Sequence, residues 1–118
     1  MLLNQTIKRP TTDKEVVDII RSLIGENNNL AIPNGYPESF EGLIYMASIK
    51  DSEYASLNIE ELSEYPLEYR VLYNQDSMTT KLMTEDKMSA SEAIEFLEFN
   101  TWYTKPPEGN MPLYIETF

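Results

Sequence analysis

Neither cysteine nor histidine occurs anywhere in the chain, and this double absence constrains its folding more than any motif does. No disulfide and no Cys/His zinc site can staple the structure, so stability has to come from burying apolar side chains. The material for that is sufficient. The 118 residues, 42% hydrophobic and 25% charged, make one domain of ordinary globular composition. The same absence removes thiol nucleophiles and every triad that needs an imidazole base. No apolar run approaches the ~20 residues of a membrane span, and Met1 opens no basic-then-apolar signal. The expectation is a cytoplasmic protein without membrane contact.

The formal net charge of -11 is unevenly placed. Residues 1–50 carry five Lys+Arg and six Asp+Glu, whereas residues 51–118 carry four and fourteen. One acidic group is Asp51, Glu53, Glu60, Glu61, Glu64 and Glu68, with no Lys or Arg among residues 51–68. A second is Glu85, Asp86, Glu92, Glu95 and Glu98, relieved by Lys87. Such a field repels nucleic acid and anionic lipid, which bind through Lys and Arg. It attracts proteins with basic grooves. The competing reading is that these carboxylates are solvated helix faces that keep the chain in solution.

Residues 1–11 read as an arm and residues 12–118 as a single α+β domain, a small sheet packed against three to five short helices. Thr12 and Glu15 form a capping box, and Val16, Ile19, Ile20, Leu23 and Ile24 follow at helical spacing up to Gly25, which predicts a helix over 13–24. Leu30, Ala31 and Ile32 read as a short strand before Pro33. Phe40, Leu43, Ile44 and Ala47 recur at i, i+3, i+4 and i+7, favouring a helix over 38–50; a strand over 43–49 is its rival. A third short helix is expected from Asn58 to the residue before Pro66. Residues 69–73, Tyr-Arg-Val-Leu-Tyr, make the best strand, followed by a turn at 74–76 and a helix over 76–84. Ser89 and Glu92 cap a further helix with Ala90, Ala93, Ile94 and Leu97 on its inner face. The pattern lapses near Phe99 and Asn100. Residues 105–110 read as loop and Leu113–Ile115 as a final strand.

Arg70-Val71-Leu72-Tyr73, the run Met88-Ser89-Ala90-Ser91-Glu92-Ala93-Ile94-Glu95-Phe96, Asn100-Thr101 and Pro112-Leu113-Tyr114-Ile115 together resemble a pattern in small uncharacterised proteins of bacteriophages and prophages. The resemblance covers about residues 68–116. It implies provenance, a phage or mobile-element accessory protein, and carries over no catalytic residue. Residues 102–107, Trp-Tyr-Thr-Lys-Pro-Pro, depart from the small-residue and aromatic turn of that pattern.

Candidate chemistry falls on carboxylates and aromatics. Glu60, Glu61, Glu64, Glu92 and Glu95 suit acid/base work or Mg²⁺ only if they converge in a cleft, whereas successive carboxylates on an amphipathic helix point at water. Asn100-Thr101 either contacts a ligand or ends its helix with Asn100 in the left-handed conformation. Around Gly35 the Lys and Gly spacing of a phosphate loop is missing. No cofactor, metal or catalytic residue is expected. Tyr69 and Tyr73 share strand parity, and Met78, Met83 and Met88 read as gap fillers. Tyr54, Tyr65, Tyr69 and Tyr73 interleave with the acidic stretch, and Trp102 and Tyr103 are expected in a loop; Tyr and Trp are over-represented at binding hot spots. The expected partner-binding set is therefore Glu53, Tyr54, Glu60, Glu61, Glu64, Tyr65, Glu92, Glu95, Trp102 and Tyr103. The expected function is non-enzymatic: an acidic surface docks on a basic host or phage protein that handles nucleic acid, as an inhibitor or nucleic-acid mimic. The alternative is a structural or assembly accessory that forms small homo-oligomers. A small carboxylate-and-tyrosine enzyme is the third reading.

Overall fold

A computed structural model describes residues 9–26, 28–47, 66–104, 106 and 108–116. Helix α1 spans Asp13–Ile24. The Thr12 hydroxyl accepts the Glu15 N–H at 3.1 Å, while the Glu15 carboxylate accepts the Thr11 N–H and hydroxyl, one residue ahead of the cap. Gly25, at φ 79°, stops the helix with its N–H on the Arg21 carbonyl. Val16 and Ile20 are buried, with Ile19 and Ile24 against the same core; Leu23 is exposed. Of the strand expected over 30–32, a single parallel bridge between Leu30 and Asn110 is present.

A 3₁₀ turn, Pro37–Ser39, leads into strand β1, Phe40–Ala47. The helix favoured over 38–50 is thus overturned in favour of a strand, and the cause is a bulge. Strand β2, Leu67–Asn74, pairs antiparallel with β1, and the register steps from Phe40↔Tyr73 to Gly42↔Leu72, passing over Glu41. Gly42 sits there at φ 142°, where an L side chain is strained. Beyond the extra residue Leu43 pairs with Val71. Phe40 and Leu43 therefore both face the core although three positions apart, and that spacing imitates a helix.

Strand β2 is the middle strand. Val71 and Tyr73 are fully buried on one face, and Arg70 is buried on the other, 3.3 Å from the Glu68 carboxylate. The expected turn at 74–76 is instead a helix start. Asn74 accepts the Ser77 N–H at 2.9 Å and caps helix α2, Gln75–Glu85. Helix α3, Ala90–Leu97, opens with a complete capping box between Ser89 and Glu92. Strand β3, Leu113–Ile115, pairs parallel with β2, giving a mixed sheet of order β1-β2-β3. The helix expected from Asn58 lies outside the described residues.

One apolar cluster holds these elements together: Val16 and Ile20 of α1, Phe40 of β1, Val71 and Tyr73 of β2, Met78 and Leu82 of α2, Ala93 and Leu97 of α3, with Tyr36 and Trp102. Each fully buried side chain of this size contributes roughly 1.5–3 kcal/mol. Phe40 and Tyr73 meet edge-on at 5.7 Å between ring centroids, worth about another 0.5–1.5 kcal/mol. Met78 is a gap filler, Met88 packs at the margin and Met83 is exposed. The architecture is α+β, and no helix among the described residues is long and apolar enough to cross a membrane.

Candidate partner-binding face

The inner face of α3 is narrower than its period suggests. Ala93 and Leu97 are buried, whereas Ala90 and Ile94 face solvent. Where the apolar pattern lapses the chain does not become loop; it continues as a π-helical turn, Glu98–Trp102. A π turn closes i to i+5, so the next inward residue after Leu97 is Trp102. Trp102, expected in a loop and as a partner contact, is 8% exposed and packs against Tyr114 at 6.5 Å between ring centroids. That removes it from the contact set. Asn100 does not take the left-handed conformation, since Lys87 is the only non-glycine residue with positive φ among the described residues. Its side-chain amide instead donates to the Phe96 carbonyl at 2.8 Å, satisfying one of the free carbonyls at the helix end.

The same change of period organises the outer side. Glu92, Glu95, Phe96, Phe99 and Tyr103 are all exposed, and their spacing of three and four residues runs them along one side of α3 and its extension. Phe99 and Tyr103 are 75% and 76% exposed, among the most expensive apolar groups to leave in water. Glu95 projects freely. Glu92 accepts the Ser89 N–H at 3.0 Å. That bond, and then the Ser89 hydroxyl, hold its carboxyl below the usual carboxylate range.

The ion pairs among the described residues join Arg9–Glu41, Lys14–Asp18, Arg21–Asp18, Arg21–Glu26 and Arg70–Glu68. None of them neutralises Glu85, Asp86, Glu92, Glu95 or Glu98. Among the described residues no three carboxylates gather closely enough to hold a metal ion. Of the expected contact residues, Glu92, Glu95 and Tyr103 fall on this face. Glu53, Tyr54, Glu60, Glu61, Glu64 and Tyr65 lie outside the described residues. Phe96 and Phe99 belong to the face as well. The signal that finds them is their i, i+3 spacing ahead of Tyr103, visible only once the helix is carried through Asn100. No protein-family model, curated protein or solved structure matches the chain.

Proposed function

We propose that the protein is a non-enzymatic interaction protein of phage or mobile-element origin, acting in the host cytoplasm, whose acidic aromatic face docks on the basic groove of a nucleic-acid-handling protein. The observation that carries this reading is the stripe Glu92, Glu95, Phe96, Phe99 and Tyr103, which joins carboxylates without an ion-pair partner among the described residues to exposed aromatic rings. The two halves of the stripe have different tasks. Carboxylates steer a positively charged partner toward the face and select it against anionic ones. Aromatic side chains supply the desolvated area from which most interface affinity comes. A groove built for phosphates meets repeated negative charge and flat rings on this face. The provenance rests on the resemblance of residues 68–116 to phage-type proteins.

Affinity capture from a bacterial host lysate tests the reading. The wild-type chain is expected to retain nucleic-acid-binding proteins that added duplex DNA releases. The double variant Glu92→Lys/Glu95→Lys and the variant Phe99→Ser are each expected to lose them. Retention of the same proteins by all three chains, or indifference to DNA, would remove the docking face. A homodimer in light scattering that Phe99→Ser dissolves would assign the face to self-assembly, the accessory role, instead.

A further inference from the structure

The π turn has a second side. Asn100, Thr101 and Thr104 line an open-mouthed cavity of about 360 Å³ together with Asn34. Tyr114, Pro33, Pro106 and Pro112 add ring side chains to the same lining. The volume falls at the lower end of the range for small-molecule sites, which run from roughly 300 to 1,000 Å³. None of the described lining residues is ionisable at neutral pH, in a chain whose formal net charge is -11. Among the described lining residues an anion finds no counter-charge, and it meets the repulsion of a chain of net charge -11; a neutral ligand does not meet that repulsion.

Two further observations bear on the same cavity. A π turn is rarer than α continuation and recurs at functional sites. Here it keeps Trp102 in the core while giving Asn100 and Thr101 to the cavity. In addition, the Trp102 indole N–H and the Tyr73 hydroxyl, both more than nine-tenths buried, have no hydrogen-bond partner among the described residues. Both lie next to the cavity's tyrosine: the Trp102 ring packs on Tyr114, and Tyr73 is the residue paired with Tyr114 across the parallel strands. Buried polar groups without partners are uncommon and costly, and these two residues neighbour the tyrosine that lines the cavity.

We infer that this cavity binds an uncharged ring compound with a hydrogen-bonding edge, of the nucleoside or neutral-sugar kind. The tyrosine and proline faces take the ring, and the Asn and Thr side chains take its edge. Asn presents a donor and an acceptor together, the pairing that reads a base edge or a sugar diol.

The ¹⁵N-labelled full chain, titrated with adenosine, adenosine monophosphate or glucose, decides the matter. Trp102 is the only tryptophan, so its indole N–H gives a single cross-peak beside the site. Adenosine or glucose is expected to shift that peak and the amides of residues 31–34 and 100–104 saturably, and which of the two does so identifies the source. The monophosphate should bind at least about tenfold more weakly than the nucleoside, as each tenfold is about 1.4 kcal/mol. Thr101→Val, and separately the exposed Thr104→Ala, should weaken binding with the amide spectrum otherwise preserved. No saturable shift with any of the three, equal affinity for adenosine and its monophosphate, or equal binding by both variants would overturn the assignment. The titration involves no protein partner and stands apart from the docking reading.

Discussion

Three tyrosines and one glutamate make the pH response of this protein legible at single residues. Burial pushes the Tyr114 phenol up to about 12, with Tyr36 adding to it. Tyr36 is raised as well, by burial first and then by Asp86. Tyr73 is raised furthest, by burial first, then by the Asp13 carboxylate and by Tyr114. An unfolded chain releases these protons near pH 10. The fold therefore favours the neutral phenols, and their contribution is complete below about pH 10 and lost as pH rises toward the folded values. Thermal melts between pH 9 and 11 should show a falling Tm, with a smaller fall in Tyr114→Phe. Tyr73→Phe also deletes a buried hydroxyl that has no hydrogen-bond partner among the described residues. It should be neutral or stabilising, by up to about 1 kcal/mol at pH 8, where a partnered hydroxyl would give a loss of similar size. Glu92 acts in the opposite direction. Its lowered carboxyl adds stability above the usual carboxylate range, and that share is lost as pH falls through its folded value. Ser89→Ala should cost about 1 kcal/mol in a denaturant melt and raise the Glu92 titration, followed by NMR, only part of the way to the ordinary range, because the backbone N–H of residue 89 remains.

At the scale of elements, caps and β-rich runs could be read from the sequence, and departures from regular period could not. Thr12, Ser89 and Gly25 announce their helix ends because each satisfies a specific backbone group or adopts a specific φ. Residues 69–73 announce a strand because β-branched and aromatic side chains suit a half-buried pleat. Two irregularities misled the reading in the same physical way, by inserting a residue into a period. The extra Glu41 in β1 turned a strand pattern into a helical one. The extra residue in the π turn after α3 turned a helical pattern into an apparent loop, which placed Trp102 on the surface and hid Phe99. Both insertions are selected by tertiary contacts, the pairing of β1 with β2 and the seating of Trp102 on Tyr114. A third irregularity yields a prediction. Gly109, at φ 94°, lies where a Cβ would stand 2.8 Å from the Ala31 backbone N. Next to it Asn110 donates to the Asn29 carbonyl and accepts the Ala31 N–H, while its side chain donates to the Tyr69 carbonyl. Gly109→Ala should therefore cost at least about 1–3 kcal/mol, read as a lower urea midpoint. Hydrogen exchange at the Ala31 and Asn110 amides should rise with it, whereas a loss confined to the melt would place the strain elsewhere.

Across the whole molecule, the division of charge gives the proposed docking face a kinetic signature. Residues 51–118 hold fourteen of the twenty Asp and Glu residues against four Lys and Arg, so a basic partner is drawn to this part of the chain before any contact forms. Exposed charges such as Glu92 and Glu95 are screened beyond a Debye length of about 8 Å at physiological ionic strength. Their effect therefore falls on the association rate and its salt dependence. The aromatic rings act only after contact, when water has left the interface, and their effect falls on dissociation. In surface-immobilised binding to a captured partner, Glu92→Lys/Glu95→Lys should slow association severalfold, flatten its salt dependence and leave dissociation little changed. Phe99→Ser and Tyr103→Ser should speed dissociation at every salt concentration. Both aromatics are exposed, so their removal should leave stability within about 0.5 kcal/mol, and a slow or fast complex can be attributed to the face itself. If all four substitutions altered only the association rate, the rings would be bystanders on a charged surface, and the stripe would act by electrostatic attraction alone.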